Sequence, residues 1–244
     1  MTRRTQSSKA QTPRDTGPED GGPLFVNAPL SSQVETFITH ELMRGHLVSG
    51  QRINEAEMSR RLGISRNPIR EAVRRLEERG VLVSSPRRGT FVRGFTRKDV
   101  DDIFSFRLVV EDFSLKIGLS QMTDEHLEAM AQAVRDMEAA AGRGDTVSLV
   151  EKDFTFHHLI CRLPNNHQSL HAFLAIKAEL QFLITMIDQR FETLEAAAAD
   201  HWPVVEALRT RNLAASRKAL REHIKESWSH LSDSYRGTDD EDTI

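Results

Sequence analysis

The stretch "SRNPIREAVRRLEERGVLVSSPRRGTFV", residues 65–92, combines an arginine-rich helical pattern with a short basic hairpin pattern. At about 100° per residue, Arg66, Arg70 and Arg74 fall on one face of a helix. A second, apolar face lies roughly 110° away and consists of Ile69, Ala72, Val73 and Leu76. Such a helix can pack on its neighbours while a row of guanidinium groups faces outward.

Local signals mark where this helix and the hairpin begin and end. Ser65 is predicted to be the N-cap, Pro68 falls in the first turn, where a missing N–H is tolerated, and Gly80 ends the helix. Two β-rich runs, 81–84 and 90–93, are predicted to pair as a hairpin. The turn between them is basic and contains Pro86, Arg87, Arg88 and Gly89.

Two shorter helical patterns precede the arginine-rich helix. From Ser31, apolar residues recur every three or four positions, and a second helix is predicted over 55–62. Three helices followed by a hairpin predict a winged helix-turn-helix domain over 29–95, whose third helix would enter the major groove of duplex DNA. The arginine stripe alone would also fit a solvated amphipathic helix, paired through contacts such as Glu71 with Arg75.

Charge is divided unequally along the chain, although the formal net value is only -3. Residues 1–97 contain 17 lysines and arginines against 10 acidic residues, whereas residues 98–244 contain 16 against 26. Because an arginine fork can bind guanine or phosphate through two hydrogen bonds, the basic part predicts an anionic partner. Charge alone would equally fit a chance imbalance between two solvated surfaces.

Composition narrows the class of protein. A single cysteine excludes an internal disulfide framework and predicts a reducing, cytoplasmic setting. No apolar run approaches the roughly 20 residues of a membrane-spanning helix, so no membrane contact is expected. Residues 1–28 are polar, rich in Pro and Gly and without the apolar core of a signal peptide, and are expected to form a disordered tail. A frayed tail is expected over 237–244.

Beyond residue 95 the patterns predict helices and almost no strand. We expect a mainly α fold, in which an antiparallel all-helical bundle occupies 96–236. Thr96 and Asp99 form a predicted capping box, and Thr123 is a further predicted N-cap. The expected helices are 97–119, 124–141, 146–163, 167–199, 201–210 and 213–231.

Residues of this half could bind a metal ion if they converge inside the bundle. Asp153 and His157 lie four positions apart on one helix face, and His201 and His223 follow in later helices. One carboxylate and three imidazoles would make a mixed N/O site for a divalent transition metal. Spacing alone leaves equally placed competitors, which are Cys161, His167 and His171.

The position of His201 depends on where its helix begins. Trp202 and Pro203 follow directly, and proline is compatible with a helix that begins near Asp200, with Asp200 as the N-cap. If the alanine-rich helix 192–199 continued through this point, Pro203 would kink it and displace His201.

The stretch "LVSGQRINEAEMSRRLGISRNPIREAVRRLEERGVLVSSPRRGTFV" closely resembles the DNA-binding domain of the GntR family of bacterial transcription regulators, and the match covers about residues 31–93. This resemblance implies that Arg66 and Arg70 read the operator. Ala56 stands where some members have another DNA-contacting arginine, so the operator preference cannot be carried over. Supporting DNA contacts are implied for Arg52, Ser65, Asn67, Arg74, Arg87, Arg88 and Gly89.

The second half resembles the FCD ligand-binding domain of the FadR-type branch, through "IFSFRLVVEDFS", "DFTFHHLICRLPNN" and "ADHWPVVEALRTRNLAASRKALREHI". Many members of that branch bind a metal through one Asp and three His. The resemblance implies zinc, with nickel or manganese as alternatives, on Asp153, His157, His201 and His223. It leaves Cys161, His167 and His171 outside the ligand set.

The same resemblance implies a small carboxylate effector near the metal. Arg107 and Asn166 match positions that would bind it, although Arg107 could instead form a salt bridge with Glu111 one turn on. The predicted function is a homodimeric repressor on a roughly palindromic DNA operator, with activation as the other regulatory mode. Two alternatives are a metalloenzyme that uses metal-bound water and a metal-free sensor of long acyl chains.

Overall fold

The computed structural model of the protein describes residues 29–188 and 193–233. Within them the chain is helical apart from one two-stranded sheet. The two predicted tails, 1–28 and 237–244, lie outside the described residues.

The N-terminal part is a winged helix-turn-helix, as predicted. Helix α3 buries the apolar face of the opening stretch against α1 and α2. The hairpin is antiparallel, with Leu82 opposite Val92, and each strand lies one residue from its predicted limits. The elements are α1 (Leu30–Met43), α2 (Glu55–Leu62), α3 (Arg66–Glu78), β1 (Leu82–Ser85) and β2 (Gly89–Val92).

The ends of α3 follow the sequence signals only in part. Ser65 occupies the N-cap position, but its side chain makes no capping hydrogen bond, so the predicted cap is positional only. Gly80 has φ +70°, the left-handed conformation that a glycine adopts easily after a helix.

The C-terminal part is the predicted all-helical bundle. The capping box of Thr96 and Asp99 is present, and Thr123 forms a second one with His126. A 3₁₀ turn at Leu119–Gln121 follows the first helix. The helices are α4 (Arg97–Gly118), α5 (Asp124–Ala141), α6 (Thr146–Arg162), α7 (His167–Ala175), α8 (Lys177–Asp188), α9 (Leu194–Ala199), α10 (Trp202–Arg209) and α11 (Leu213–Ser232).

The single helix predicted over 167–199 is wrong. The described residues form α7, α8 and α9, and the first break falls at Ile176. The break lets α7 pack on α4 and α6, while α8 packs on α1, α6 and α11. No glycine or proline marks it in the sequence, so only the demands of packing reveal it.

The bundle and the winged domain are in direct contact. Helices α4 and α11 pack together, as do α5 and α6, and one hydrophobic core runs through both parts of the chain. Helix α1 of the winged domain rests on α6 and α8. Within 29–188 and 193–233, none of the helices has both the length and the apolar character needed to cross a bilayer.

Candidate functional site

The recognition helix α3 presents its arginines outward, as predicted. Arg66, Arg70 and Arg74 are all exposed. Arg70 donates from Nε to Glu55 of α2 at 3.2 Å, and Arg74 donates to Glu78 at 2.5 Å. Each guanidinium carries five N–H groups, so these single contacts leave donors for a nucleic acid.

The contact expected for a solvated helix is also present, on another side of α3. Arg75 donates to Glu71 at 2.5 Å and to Ser32 of α1 at 3.1 Å. Arg75 therefore helps to attach α3 to α1, whereas the stripe of Arg66, Arg70 and Arg74 stays outside this packing.

The wing is attached to the recognition helix by hydroxyl groups. Ser84 and Thr90 both donate to the carboxylate of Glu77 on α3. At the tip, Arg87 and Arg88 are exposed. These hydrogen bonds join both strands of the wing, close to its basic tip, to the recognition helix.

Gly89 shapes the base of the tip. Its φ is +107°, and a Cβ added there would lie 2.9 Å from Nε of Arg52. Arg52 is exposed and forms a β-bridge to Phe91, so its guanidinium group is held at the wing. Glycine at position 89 is what allows this close approach.

Three buried imidazoles meet in the centre of the helical bundle. His157 comes from α6, His201 immediately precedes α10, and His223 comes from α11. One ring nitrogen of each lies within 4.8 Å of the other two. The two Nε2 atoms of His157 and His223 are 3.2 Å apart, and the His201 and His223 rings have centroids 4.3 Å apart.

The opposite nitrogen of each ring faces a hydrogen-bond acceptor. Nδ1 of His157 is 2.6 Å from Glu111, and Nδ1 of His223 is 2.6 Å from Asp200. Nδ1 of His201 is 3.2 Å from the carbonyl oxygen of Ala198. These acceptors assign Nδ1–H to each ring and leave the three Nε2 lone pairs facing inward.

In this arrangement, atoms that carry lone pairs or negative charge face one another. Lone pairs of His157 and His223 face each other, and Nε2 of His201 faces a carboxylate oxygen of Asp153 at 3.1 Å. Burial lowers the pKa of His157 and of His223, which favours the neutral imidazole that a metal requires. The donor set therefore fits a divalent cation.

Asp153, the fourth predicted ligand, lies beside the cluster: its Oδ2 is 3.1 Å from Nε2 of His201, but it is not among the three side chains whose ligand atoms lie within 4.8 Å of one another. It is buried, and its Oδ1 has no hydrogen-bond partner among the described residues. Burial acts to raise the pKa of Asp153, but its contact with Nε2 of His201 and the nearby Arg107 charge hold it below the ordinary value. A buried carboxylate oxygen without a partner is costly unless a cation is bound.

Arg107 takes part in the salt bridge that was one of its two predicted roles. Its Nε donates to Glu111 at 2.8 Å, and both residues are at most 1% exposed. Its Nη2 is buried without a partner among the described residues. Burial raises the pKa of Glu111, and the Arg107 charge opposes that change. The free N–H groups of Nη2 leave the second role, effector binding, available as well.

The sequence patterns did not predict the roles of two residues that contact the histidine cluster. Glu111 was considered only as a partner of Arg107, not of His157. Asp200 was predicted as an N-cap, and this is wrong because α10 begins at Trp202 with His201 in the N-cap position. The Asp200 carboxylate instead accepts from His223, since α11 passes beside it. Its position next to His201 was the only sequence signal.

Asn166 lies at a different place from the histidine cluster. Its side-chain oxygen caps α7 by accepting from the backbone of Gln168 and Ser169. It lines a cavity of about 490 Å³ together with Cys161 and His167, and the cluster histidines are not in its wall. The competitors Cys161, His167 and His171 are absent from the group of converging ligands.

A winged helix-turn-helix with an exposed arginine stripe, joined to a helical domain around a histidine cluster, defines a DNA-binding regulator with a separate regulatory domain. Two family models match the chain: "Bacterial regulatory proteins, gntR family" over residues 30–92 and "FCD domain" over residues 102–226. The chain therefore belongs to the GntR family of bacterial regulatory proteins and carries an FCD domain. It is a transcription regulator and not an enzyme.

Curated relatives extend over most of the chain. A probable D-xylose utilization operon transcriptional repressor of Paenarthrobacter nicotinovorans is 29% identical, covering 82% of this chain and 88% of its own. The uncharacterized HTH-type transcriptional regulator YdhC of Bacillus subtilis is 26% identical, covering 83% and 91%.

Solved structures share the fold. E. coli McbR/YncC has a TM-score of 0.72 at 19% identity, covering 85% of this chain and 99% of its own. A putative transcriptional regulator GntR from Rhodococcus sp. RHA1 has a TM-score of 0.72 at 22% identity, covering 84% and 99%.

Proposed function

We propose that this regulator is a homodimeric repressor whose operator binding is controlled by a small carboxylate at a metal centre in the FCD domain. The observation that carries the proposal is the set of three inward-facing Nε2 atoms, each on a ring whose Nδ1 meets an acceptor. Outer acceptors of this kind orient histidines that ligate metals.

The metal ligands are His157, His201, His223 and Asp153. Mixed imidazole and carboxylate ligands suit a divalent transition ion, and zinc is the first candidate, with nickel and manganese as the others. When bound, such an ion supplies positive charge that attracts the carboxylate group of an effector.

Arg107 is the protein's own group for the same carboxylate. Its Nε is held by Glu111, so the guanidinium is fixed, and its buried Nη2 still has N–H groups to donate. Arginine binds carboxylates through two parallel hydrogen bonds better than lysine does. An effector carboxylate in contact with Nη2 would satisfy a donor that is otherwise unpaired and costly.

The operator contacts come from the recognition helix and the wing. Arg66 and Arg70 are proposed to read base edges in the major groove, because they lie in the first turns of α3. Ser65, Asn67 and Arg74 surround them on the exposed side of the helix. Phosphate contacts are assigned to Arg52, Arg87, Arg88 and Gly89.

A homodimer is supported by an apolar stripe along α4. The stripe consists of Phe106, Val109, Phe113 and Ile117, whose exposed fractions range from 40% to 66%. Their spacing of three, four and four residues places them on one face of the helix. A second copy related by a two-fold axis would cover this face and would match the symmetry of a palindromic operator.

Repression is supported by the relative from Paenarthrobacter nicotinovorans, which is named a probable D-xylose utilization operon transcriptional repressor. The dimer is tested separately with Val109→Glu, measured by light scattering. A charge in the middle of the stripe should give a monomer that keeps its helical content. A Val109→Glu protein that stays dimeric would rule out this face.

Metal analysis of the protein as purified tests the centre. Mass spectrometry of the native protein should give about one divalent ion per chain. His201→Ala should lose this ion and melt at a lower temperature, because the binding energy of the metal adds to folding. His171→Ala, which changes an exposed histidine outside the cluster, is the control.

Two results would contradict this part of the proposal. One is a His201→Ala protein that retains its full metal content. The other is a native protein without metal that binds a long-chain acid, which would support the metal-free sensor. Family membership and DNA binding would stand in both cases.

A further inference from the structure

Arg93, directly after strand β2, joins parts of the chain that are far apart in sequence. Its Nη1 donates to the carbonyl oxygen of Gly80 at 3.2 Å and to Glu179 of α8 at 2.9 Å. Its Nη2 donates to Asp99 in the first turn of α4. The guanidinium carbon also lies 4.8 Å from the ring centroid of Phe95. One side chain thus connects the recognition helix, the wing, α4 and α8.

Glu179 reaches the end of the recognition helix itself. A Cβ added at Gly80 would collide with Oε1 of Glu179. This carboxylate of the FCD domain therefore rests against the glycine that closes α3. Nearby, the ring centroids of Phe95 and Phe182 are 5.5 Å apart, so apolar packing supports the ionic contact.

Helix α8 also touches the elements that hold the histidine cluster. It packs on α6, which carries His157, and on α11, which carries His223. Another contact point of the winged domain is on α6, where Glu151 lies 3.0 Å from Nε2 of His40 in α1. Both of these contacts, at Glu179 and at Glu151, thus end on helices next to the cluster.

We infer that the Arg93–Glu179 pair is the contact through which the FCD domain sets the position of the DNA-binding domain. The pair joins opposite charges that are largely shielded, with side-chain exposures of 29% and 17%. A charge-assisted hydrogen bond in such a place is stronger than an exposed ion pair. The claim that this pair transmits regulation rests on the proposed function. The claim that it attaches the DNA-binding domain to the FCD domain does not.

Hydrogen exchange of the full chain tests this inference. Glu179→Gln keeps the size of the side chain and its oxygen acceptor but removes the charge. In the variant, amides of α1 and of the second half of α3 should exchange about tenfold faster, the effect expected when one charge-assisted hydrogen bond is weakened. Amides of α5, far from the pair in the bundle, should keep the wild-type rates.

Two further variants make the result specific. Arg93→Lys keeps the charge but cannot reach Gly80, Glu179 and Asp99 together, so it should reproduce the faster exchange in part. Glu206→Gln removes an exposed ion pair with Arg209 on α10 and should leave α1 unchanged.

The inference is overturned if Glu179→Gln and Arg93→Lys both show wild-type exchange in α1 and α3. Metal content is measured on the same samples and should stay at the wild-type value. A wild-type protein without metal would count against the proposed metal centre and not against the role of the Arg93–Glu179 pair. The failure of one proposal can therefore be told from the failure of the other. If Glu179→Gln did not fold, Arg93→Lys would provide the test by itself.

Discussion

Replacing Asp200 tests whether the acceptors behind the histidines belong to a metal centre. Its Oδ2 lies 2.6 Å from Nδ1 of His223, and its side chain is 21% exposed. Partial burial acts to raise the pKa of Asp200, but the hydrogen bond from His223 lowers it, so the carboxylate is charged at neutral pH. A charged acceptor at this distance orients the ring and makes its Nε2 a better ligand.

Loss of such an outer acceptor weakens metal binding by about 10- to 100-fold, which corresponds to about 1.4–2.7 kcal/mol. Asp200→Ala should therefore show a loss in this range. Asp200→Asn should lose less than about tenfold, because its amide oxygen still accepts from Nδ1–H but without the charge. Zinc affinity is expected to be highest in the wild type, lower in Asp200→Asn and lowest in Asp200→Ala.

The assay is a competition titration at pH 7, in which a coloured chelator competes for zinc with each protein. Tryptophan fluorescence, to which both Trp202 next to His201 and Trp228 contribute, checks that the protein is folded. Asp124→Asn, at a side chain that is 98% exposed, is the control. If Asp200→Ala bound zinc with wild-type affinity while His223→Ala did not, the reasoning about outer acceptors would be refuted.

Three further predictions concern other parts of the chain. Arg70→Ala should cost about 1–3 kcal/mol of specific DNA binding, whereas equal weakening on all duplexes, measured by anisotropy, would make Arg70 a phosphate contact. Gly89→Ala should weaken binding to every duplex, because the new Cβ meets Arg52 and φ is unfavourable; unchanged salt dependence of DNA binding would contradict this. Hydrogen bonds from Arg217 lower the pKa of Asp112, so its stabilising effect is present above the ordinary carboxyl pKa and lost as pH falls through the lower folded value. Asp112→Asn should lower the Tm by about 2–4 °C at pH 7 and by less at pH 3, and a difference in Tm that is independent of pH would disprove the linkage.

The sequence predicted features that depend on neighbouring residues. The arginine stripe of α3, the hairpin with its basic tip and the capping box at Thr96 all follow from short-range spacing, and all are present. A helical period places side chains on one face whatever the rest of the fold does. The four candidate ligands were named through a family resemblance, because spacing left Cys161 and other histidines as competitors.

Only the tertiary structure determined how those ligands are surrounded. The acceptor for His157 lies 46 positions away, and the acceptor for His223 lies 23 positions away. The break at Ile176 likewise follows from the different partners of α7 and α8. Such contacts depend on how helices pack, and a local pattern carries no information about which distant carboxylate a buried ring will face. The sequence alone therefore determined the arginine-rich helix, the hairpin and the basic surface, while packing decided the break at Ile176 and the chemistry at the centre of the bundle.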